Sequence, residues 1–362
     1  MAASLKIRHR GVWFSIHKWI GILLAVLIVP VSLSGSALVW HDWLDETLNP
    51  ERVASGRARL PYGDYVEAAR RELGPQDRIQ SLALPREQGA ASVTAVRPSE
   101  TAGGRPVRTT IWLDPASGAV LDRTSGNQGL VRALHVLHGS LMVPGVGRQI
   151  VGWVGVFMLV SSLTGLWLWW PSLGGFRRGL RWRRQETTNA NLHHLAGLWA
   201  ALPLAMLSLT GVWISFPGVF GGAAPAAPAR AAPPMPLTQP RLDAQAAAAL
   251  AAARLGGAPA SIAWPTDRSP EWTVGVRTGD RPREAKIDDA TGTVEIPAPR
   301  PETWSRTMRR WHDGGGMGAV WQIVIFIGGI IPALLAVTGI VMWLRTRRWR
   351  SDVGRRKARA DG

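Results

Sequence analysis

The chain has 362 residues, of which 46% are apolar, with 19 Trp and no Cys. The absence of cysteine excludes disulfides, thiolate-bound iron–sulfur clusters and covalently attached c-type haem. The formal net charge is +17, but the basic residues lie in short stretches beside apolar segments, which is typical of membrane proteins and does not indicate a nucleic-acid partner.

Four apolar segments are long enough to cross a bilayer. These predicted transmembrane helices are residues 17–40, 149–170, 194–216 and 320–344. Trp residues crowd their ends, as in the interfacial aromatic belt. The stretch 1–16 is basic like the start of a signal peptide, but no small-residue cleavage site interrupts the apolar run that follows, so we expect a retained helix.

Basic clusters flank these segments on one side of the predicted membrane. They lie in the N-terminal stretch 1–16, the loop 171–193 and the tail 345–362. The positive-inside rule predicts that these three parts, including both termini, are cytoplasmic. The long connections 41–148 and 217–319 are then periplasmic or extracellular.

Each long connection is predicted to fold as a small α+β module. In the first, a helix at 64–74 precedes strands near 79–84, 91–97, 107–113 and 119–122. In the second, an Ala/Pro-rich tether at 220–240 precedes a helix at 241–255 and short strands within 261–296.

The two halves of the chain resemble each other, which predicts an internal duplication. The segment IWLDPASGAVLD at 111–122 matches AKIDDATGTVEI at 285–296. The same offset of 174 residues carries His138 onto His312 and Thr164-Gly165 onto Thr338-Gly339. At an offset of 176, HKWIG (17–21) overlays HHLAG (193–197), and SLSG (32–35) overlays SLTG (208–211). We therefore predict a four-helix membrane bundle made of two similar halves.

Four of the eight histidines form two repeat-related pairs. His17 and His193 lie at the start of the first and third apolar segments, whereas His138 and His312 precede the second and fourth. Ionisable residues near a membrane core are costly and are often functional. Imidazole is a common axial ligand of haem iron, and a bundle can hold a flat apolar cofactor. The pattern predicts two haem b groups, one per pair.

Other residues leave alternatives open. His194 is next to His193 and can replace it as a ligand if the register differs, and His135 lies one turn before His138. Gly21 and Gly197 follow His17 and His193, the pair predicted on the cytoplasmic side, by one helical turn, and a porphyrin can approach the backbone there. A different interpretation makes the histidines interfacial residues that cap helices. A zinc or copper site is weaker, because no carboxylates or thiolates converge there.

Two further histidines receive no ligand role. His41 has no repeat partner and lies about 36 Å along a helix from His17, too far to share one haem with it. His9 is predicted to be a surface residue. The chain has no P-loop or dinucleotide motif, and the spacing identifies no catalytic side chain. GGGMG at 314–318 is predicted to be a turn, and Asp114, Asp288 and Asp289 are predicted turn residues of D-x-x-[ST]-G hairpins.

The motifs of all four helices resemble one known family. They are HKWIG with SLSG, LHVLHG with TGLWLWWP, NLHHLAGLW with SLTG, and WHDGGGMG with AVTGIVMWLRTRR. Together they are similar to the PepSY-associated transmembrane helix family, and the D-x-x-[ST]-G hairpins resemble its PepSY periplasmic modules. The resemblance covers nearly the whole chain. It departs at His194, where the family more often has a basic residue.

The resemblance implies a function, because the family includes inner-membrane ferric-siderophore reductases of Gram-negative bacteria. His17, His193, His138 and His312 fall on the family's histidine positions. We therefore expect an inner-membrane oxidoreductase that takes electrons from a quinol or a cytoplasmic reductase and reduces a ferric siderophore or other ferric chelate outside. Arginines of the outer segments are candidates to attract an anionic chelate or to pair with haem propionates: Arg105, Arg108, Arg132, Arg148, Arg309 and Arg310.

Two rival functions come from other classes. The chain could be a siderophore or haem transporter component, which intramembrane polar relays would favour, but the helices contain almost none. Alternatively, it could be a regulatory or scaffold membrane protein whose PepSY modules bind peptides without redox chemistry. In each case the surrounding membrane lipid is a partner.

Overall fold

The computed structural model describes residues 2–52, 54, 59–84, 89–99, 106–125, 129–170, 177, 180–181, 185–220, 233–278, 281–298 and 301–360. The chain divides into two compact units. The helical unit comprises Met1–His41, Ala133–Ala224 and Glu302–Gly362, and the sheet unit comprises Asp42–Arg132 and Pro225–Pro301. Most of the predicted loop 171–193 before residue 185 lies outside the described residues.

The described helices are numbered in chain order. They are α1 (Ala2–Val39), α2 (His41–Leu48), α3 (Tyr62–Glu72), α4 (Leu130–Ser140), α5 (Gly147–Trp169), α6 (Thr188–Ser215), the short α7 (Pro217–Phe220), α8 (Ala244–Leu255), α9 (Trp304–Asp313) and α10 (Ala319–Ala360). The described strands are β1 (Arg78–Ala83), β2 (Ala91–Arg97), β3 (Val107–Leu113), β4 (Val120–Ser125), β5 (Ala258–Ala263), β6 (Glu271–Thr278), β7 (Arg281–Asp288) and β8 (Val294–Glu295).

Four of these helices are long and apolar enough to cross a membrane. The candidate spans are His9–Val39, Gly147–Trp169, Thr188–Ser215 and Ala319–Trp349. Two helices extend beyond the predicted segments: α1 includes most of the predicted N-terminal stretch 1–16, and α10 continues through most of the tail 345–362. Arg and Lys are good helix formers, so a basic flank prolongs a membrane helix without a break.

The four spanning helices form a closed ring in which each contacts two neighbours. Helix α1 packs against α5 and α10, and α6 packs against the same two helices. Consequently α1 and α6 face each other across the bundle. An apolar cluster lies within the ring, and its two alanines let the helices approach closely. Its members are Ala25, Ile28, Val154, Met158 and Ala336.

In the sheet unit the eight described strands form one antiparallel sheet with the order β4-β3-β2-β1-β5-β6-β7-β8. Each half of the chain supplies four consecutive strands, and the halves join where β1 pairs with β5, with Leu82 opposite Ile262. The prediction of two small modules is therefore corrected, because they share one sheet. An exposed edge strand is prone to pair with another chain. Here β1 and β5, the first strands of the two halves, pair with each other, so neither is left as an exposed edge.

Helices α3 and α8 pack on the sheet and bury its core. Tyr65 and Trp272 are completely buried. The Tyr65 hydroxyl donates a hydrogen bond of 2.7 Å to the carbonyl of Pro115, and the Trp272 indole donates one of 2.8 Å to Asp289. These bonds satisfy the polar ends of two large aromatic side chains that otherwise contribute apolar burial.

The prediction that Asp114, Asp288 and Asp289 are turn residues of the two hairpins is confirmed. Asp114 Oδ1 accepts from the backbone of Ala116 at 2.8 Å, and Asp288 Oδ1 accepts from Thr291 at 2.8 Å. Asp289 also lies in its predicted turn, and it has a further role there. Its buried carboxylate accepts from the backbone of residues 241 and 242 and from the Trp272 indole, so it anchors the segment before α8.

Part of the predicted Ala/Pro tether is ordered against the sheet. Pro236 is almost completely buried, it forms a bridge with Thr266, and Leu237 donates a backbone hydrogen bond of 2.9 Å to Pro265. Residues 221–232 of the predicted tether lie outside the described residues. The prediction of a turn at GGGMG is confirmed, since Gly314, Gly316 and Gly318 all adopt positive φ between α9 and α10.

Candidate functional site

The inner histidine pair joins two facing helices of the ring. His17 lies on α1 and His193 lies near the start of α6. Their ring centroids are 6.4 Å apart and the ring planes are inclined by 83°. Both side chains are half-buried. The closed ring of helices thus brings together two histidines that are 176 positions apart in the chain.

The outer histidine pair is carried by two short helices. His138 lies on α4 and His312 lies on α9. Their ring centroids are 5.9 Å apart with an interplanar angle of 39°. His138 packs against α1 and His312 packs against α6, so the outer pair spans the same diagonal of the bundle as the inner pair.

A polar acceptor holds the Nδ1 atom of the first ring of each pair. His17 Nδ1 lies 3.1 Å from the carbonyl of Ser161, and His138 Nδ1 lies 2.8 Å from the carbonyl of Val31. A carbonyl only accepts, so Nδ1 must carry the ring proton in both cases. The lone pair of each neutral ring is then on Nε2, which is the atom available to bind a metal.

Threonine hydroxyls fix the second ring of each pair in the same way. His193 Nδ1 lies 2.9 Å from Thr338 Oγ1, and His312 Nδ1 lies 2.9 Å from Thr210 Oγ1. Each hydroxyl donates its own proton to a helix carbonyl, that of Leu334 for Thr338 and that of Met206 for Thr210. The hydroxyl oxygens must therefore accept from Nδ1, which again leaves the lone pair on Nε2.

Each histidine ring also packs against a glycine of a spanning helix. Each of these glycines directly follows a buried serine or threonine. A Cβ atom built on the glycine would approach the ring Cε1 closely. The four pairs and distances are Gly35 with His138 at 2.6 Å, Gly165 with His17 at 3.0 Å, Gly211 with His312 at 3.2 Å and Gly339 with His193 at 3.6 Å.

Sequence reasoning missed the role of these hydroxyl–glycine pairs. It used Ser34-Gly35, Thr164-Gly165, Thr210-Gly211 and Thr338-Gly339 only as markers of the repeat. The available signal was that a serine or threonine followed by glycine occurs in every apolar segment. At Thr164, Thr210 and Thr338 the hydroxyl is within hydrogen-bond distance of a ring Nδ1, and the following glycine leaves room for the imidazole. At Ser34-Gly35 only the glycine contributes, because the Val31 carbonyl is the acceptor of His138 Nδ1.

A cavity of about 940 Å³ surrounds the inner pair. Gly21 and Gly197 line it together with His17 and His193, as predicted from their spacing. Much of the remaining lining is apolar, and cationic side chains belong to it as well: Arg10, Lys18 and Arg347. An apolar cavity with a few cationic groups suits a flat apolar molecule that carries carboxylates.

The spacing of both pairs fits two imidazoles on opposite sides of one metal ion. Imidazole nitrogen binds such ions at about 2.1 Å, which puts the ion about 3.2 Å from each ring centroid and opposed centroids about 6.4 Å apart. The observed separations are 6.4 and 5.9 Å. At the inner pair the cavity, the glycines and the Nε2 lone pairs add to this fit for a haem, whereas at the outer pair the fit rests on the spacing, the glycines and the lone pairs.

Burial keeps the outer pair in the form that binds metal. It lowers the pKa of His138, and it lowers the pKa of His312 to about 4. A nearby histidine lowers each value further, through His135 for His138 and through His138 for His312. Both imidazoles are therefore neutral at pH 7, as ligation requires.

The alternative ligands occupy other positions. His194 lines the inner cavity, but the ring facing His17 is that of His193. His135 is exposed and its ring faces His41 at a centroid distance of 6.2 Å. In the described part of the chain, no group of three or more His, Asp or Glu residues is arranged to hold a metal ion.

The outer arginines are dispersed. Arg148 donates to the carbonyl of Ile214, and Arg310 pairs with Glu302 at 3.4 Å. Arg309 is exposed one helical turn before His312. Arg108 and Arg132 belong to the sheet unit, and Arg105 lies outside the described residues.

Comparison with known proteins identifies the family. No curated protein matches the chain. The PepSY-associated TM region matches residues 14–346, which include the second and third candidate spans, most of the first and fourth, and all four histidines of the two pairs. The chain is a membrane protein that belongs to the family of the PepSY-associated TM region.

Proposed function

We propose that the chain is a di-haem b-type electron-transfer protein of the bacterial inner membrane that reduces a periplasmic ferric siderophore and releases iron(II). One observation carries this proposal. Two histidine pairs span the same diagonal of the bundle at different levels along it, each with a ring separation that fits two imidazoles sharing one metal ion. All four Nδ1 atoms are bound to acceptors, so all four Nε2 atoms can act as ligands.

The proposed topology puts both termini in the cytoplasm. The basic residues of α1 and of the end of α10 support this orientation under the positive-inside rule. The inner pair then lies near the cytoplasmic surface, and the outer pair and the sheet unit lie on the periplasmic side. An internal duplication is part of the proposal, supported by the mirrored strand order and by the hydroxyl–glycine pair on every spanning helix.

The side chains have defined tasks in this proposal. His17 and His193 would hold the inner haem, and His138 and His312 would hold the outer one. When bound, haem supplies a one-electron centre on each side of the membrane. With two histidines holding it, the iron would have no position open to oxygen, which would favour electron transfer. The hydroxyls and carbonyls at Nδ1 orient each ring and raise its basicity.

The proposed substrate is the iron of an anionic ferric chelate. It accepts one electron, which comes from a quinol or a cytoplasmic reductase on the other side, and iron(III) becomes iron(II). Hard oxygen donors hold iron(II) less tightly than iron(III), so reduction releases the metal. The exposed Arg309 on α9, one turn from His312, offers a positive charge that attracts such a chelate.

The two rival functions have less support. A transporter component needs polar groups along its path, whereas the cluster in the middle of the ring is apolar. A peptide-binding scaffold without redox chemistry gives no reason for buried hydroxyls that orient one imidazole of each facing pair.

The test is a reduced-minus-oxidised visible spectrum of the detergent-purified chain with a haem count. We expect about two b haems per chain, falling to about one in His17→Ala and in His138→Ala. His9→Ala is the matched control and should retain both, because His9 belongs to neither pair. A colourless protein from cells with adequate haem would overturn the proposal and favour the scaffold.

A further inference from the structure

A third pair of histidines faces each other at the outer end of the helical unit. His41, the first residue of α2, and His135, on α4, have ring centroids 6.2 Å apart with an interplanar angle of 78°. Both side chains are exposed. Neither has a counterpart in the other half of the chain, where Pro217 and Arg309 occupy the equivalent positions. The pair is therefore a feature of one half only.

The separation of these rings matches what one bound ion requires. Imidazole nitrogen binds zinc-like ions at about 2.1 Å, so two rings can share an ion when their centroids are about 5 to 6.4 Å apart, from tetrahedral to opposed geometry. The Nδ1 atom of His41 lies 3.0 Å from the carbonyl of Leu38, which only accepts. The Nδ1 atom therefore carries the proton and the lone pair of this ring is on Nε2.

We propose that His41 and His135 bind a divalent transition-metal ion, completed by water, and that in the proposed reaction this ion is the iron(II) leaving the reduced chelate. The second clause rests on the proposed function, whereas the first does not. Imidazole suits borderline divalent ions such as Fe²⁺ and Zn²⁺, whereas hard oxygen donors prefer Fe³⁺. Such a pair thus distinguishes the product of reduction from its substrate.

The position of the pair favours a small ion over a third haem. His135 lies one turn before His138 on α4, with about 5–6 Å between their Cβ atoms. The outer haem of the proposed function would need the space beside His138, and a second flat macrocycle cannot be placed on the adjacent ring. Two exposed protein ligands bind an ion reversibly, as suits an ion in transit.

The experiment is calorimetric titration of the tag-free, full-length chain with Zn²⁺ alone. Wild type should bind one Zn²⁺ ion, and His41→Ala and His135→Ala should each weaken that site at least about tenfold. His9→Ala is the matched control, an exposed histidine outside the pair that should leave the titration unchanged. Anaerobic Fe²⁺ should compete for the Zn²⁺ site, and Fe³⁺-chelate should not.

The outcomes separate this inference from the proposed function, because haem is counted in the same samples. Two haems with a Zn²⁺ titration that His41→Ala, His135→Ala and the double variant leave unchanged would overturn the cation site alone. Zn²⁺ binding that depends on both histidines in a protein without haem would retain the site and refute its link to iron reduction. Failure of Fe²⁺ to compete would likewise overturn that link.

Discussion

The inner and outer histidine pairs reach similar ring separations with different supports. The inner rings project from α1 and α6, two long helices of the membrane ring, and are held by α5 and α10. The outer rings project from α4 and α9, helices of 11 and 10 residues, and are held by α1 and α6. Short helices are marginal alone, so the outer geometry depends on docking whereas the inner geometry is built into the bundle.

The space around the two pairs also differs. Gly21 has no atom within 4 Å of an added Cβ and opens onto the inner cavity, whereas Gly35 is in tight contact with His138. The comparison shows that the same motif, a hydroxyl residue followed by glycine, occurs beside a histidine ring both at the site with an open cavity and at the site with a tightly packed ring. We therefore expect the two sites to differ in their sensitivity to bulk and to the loss of a hydrogen bond.

Filling the inner cavity should have the largest effect. In Gly21→Leu the new side chain meets no protein atom near Cβ and extends into the space beside His17. We expect the haem count to fall from about two to about one per chain, with the outer site intact. Gly218→Leu, also in open space, is the control that should keep both. Two haems in folded Gly21→Leu would contradict a haem in this cavity.

Adding one methyl group at the glycine beside a histidine should affect the outer site more than the inner site. In Gly35→Ala the new Cβ would lie 2.6 Å from His138, so this ring must move. In Gly339→Ala the new Cβ would lie 3.6 Å from His193, an ordinary contact. We expect Gly35→Ala to lose most of the outer haem and Gly339→Ala to keep both, as measured by haem count and low-temperature spectra. Equal effects would show that ring packing does not control occupancy.

Removing a hydroxyl should have an intermediate effect. Thr210→Val deletes the acceptor of His312 Nδ1 at 2.9 Å, and outer-shell bonds of this kind change metal affinity by about 10–100-fold. Ser34→Ala is the matched control, because the Ser34 hydroxyl bonds to Pro30 and Val31 while His138 bonds to the Val31 carbonyl. We expect faster haem loss to a scavenger protein only in Thr210→Val. Equal loss in both would weaken the assigned role of Thr210.

Replacing the alternative ligands should have the smallest effect. His194→Ala and His135→Ala each remove an imidazole near a pair without changing the paired rings. We expect the haem count and the spectrum to remain those of wild type. A loss of one haem in His194→Ala would instead move the inner ligand from His193 to its neighbour.

Local patterns in the sequence predicted most elements of both units. The strands of the sheet unit follow short apolar-rich runs bounded by turn residues, and β2 and β3 have the predicted bounds 91–97 and 107–113. The pairing of β1 with β5 was not predictable, because both halves present equivalent first strands and nothing local specifies their meeting. The buried role of Asp289 was hidden for a similar reason, since its partners near residue 241 are distant in sequence.

The repeat in the sequence predicted which histidines form pairs. It did not predict which residues surround their rings. The offset predicted which residues are equivalent, whereas the contact between His17 and α5 joins residues about 144 positions apart. The facing of His41 and His135 was likewise invisible, since His41 has no repeat partner. Long-range contacts depend on how helices close into a ring, which periodicity along one helix does not encode.

The apolar cluster in the middle of the bundle has a consequence for energy coupling. Ala25 and Ile28 lie along α1 between His17 and the residue that holds His138, and none of the five cluster residues exchanges protons. In the proposed reaction an electron crosses this layer without a compensating proton. The membrane potential then changes the free energy of this electron transfer by about 2.3 kcal/mol for each 100 mV, the value for one full elementary charge. A potential that is negative inside would drive the electron outward, so iron reduction in sealed vesicles should accelerate with voltage and slow when an ionophore removes it.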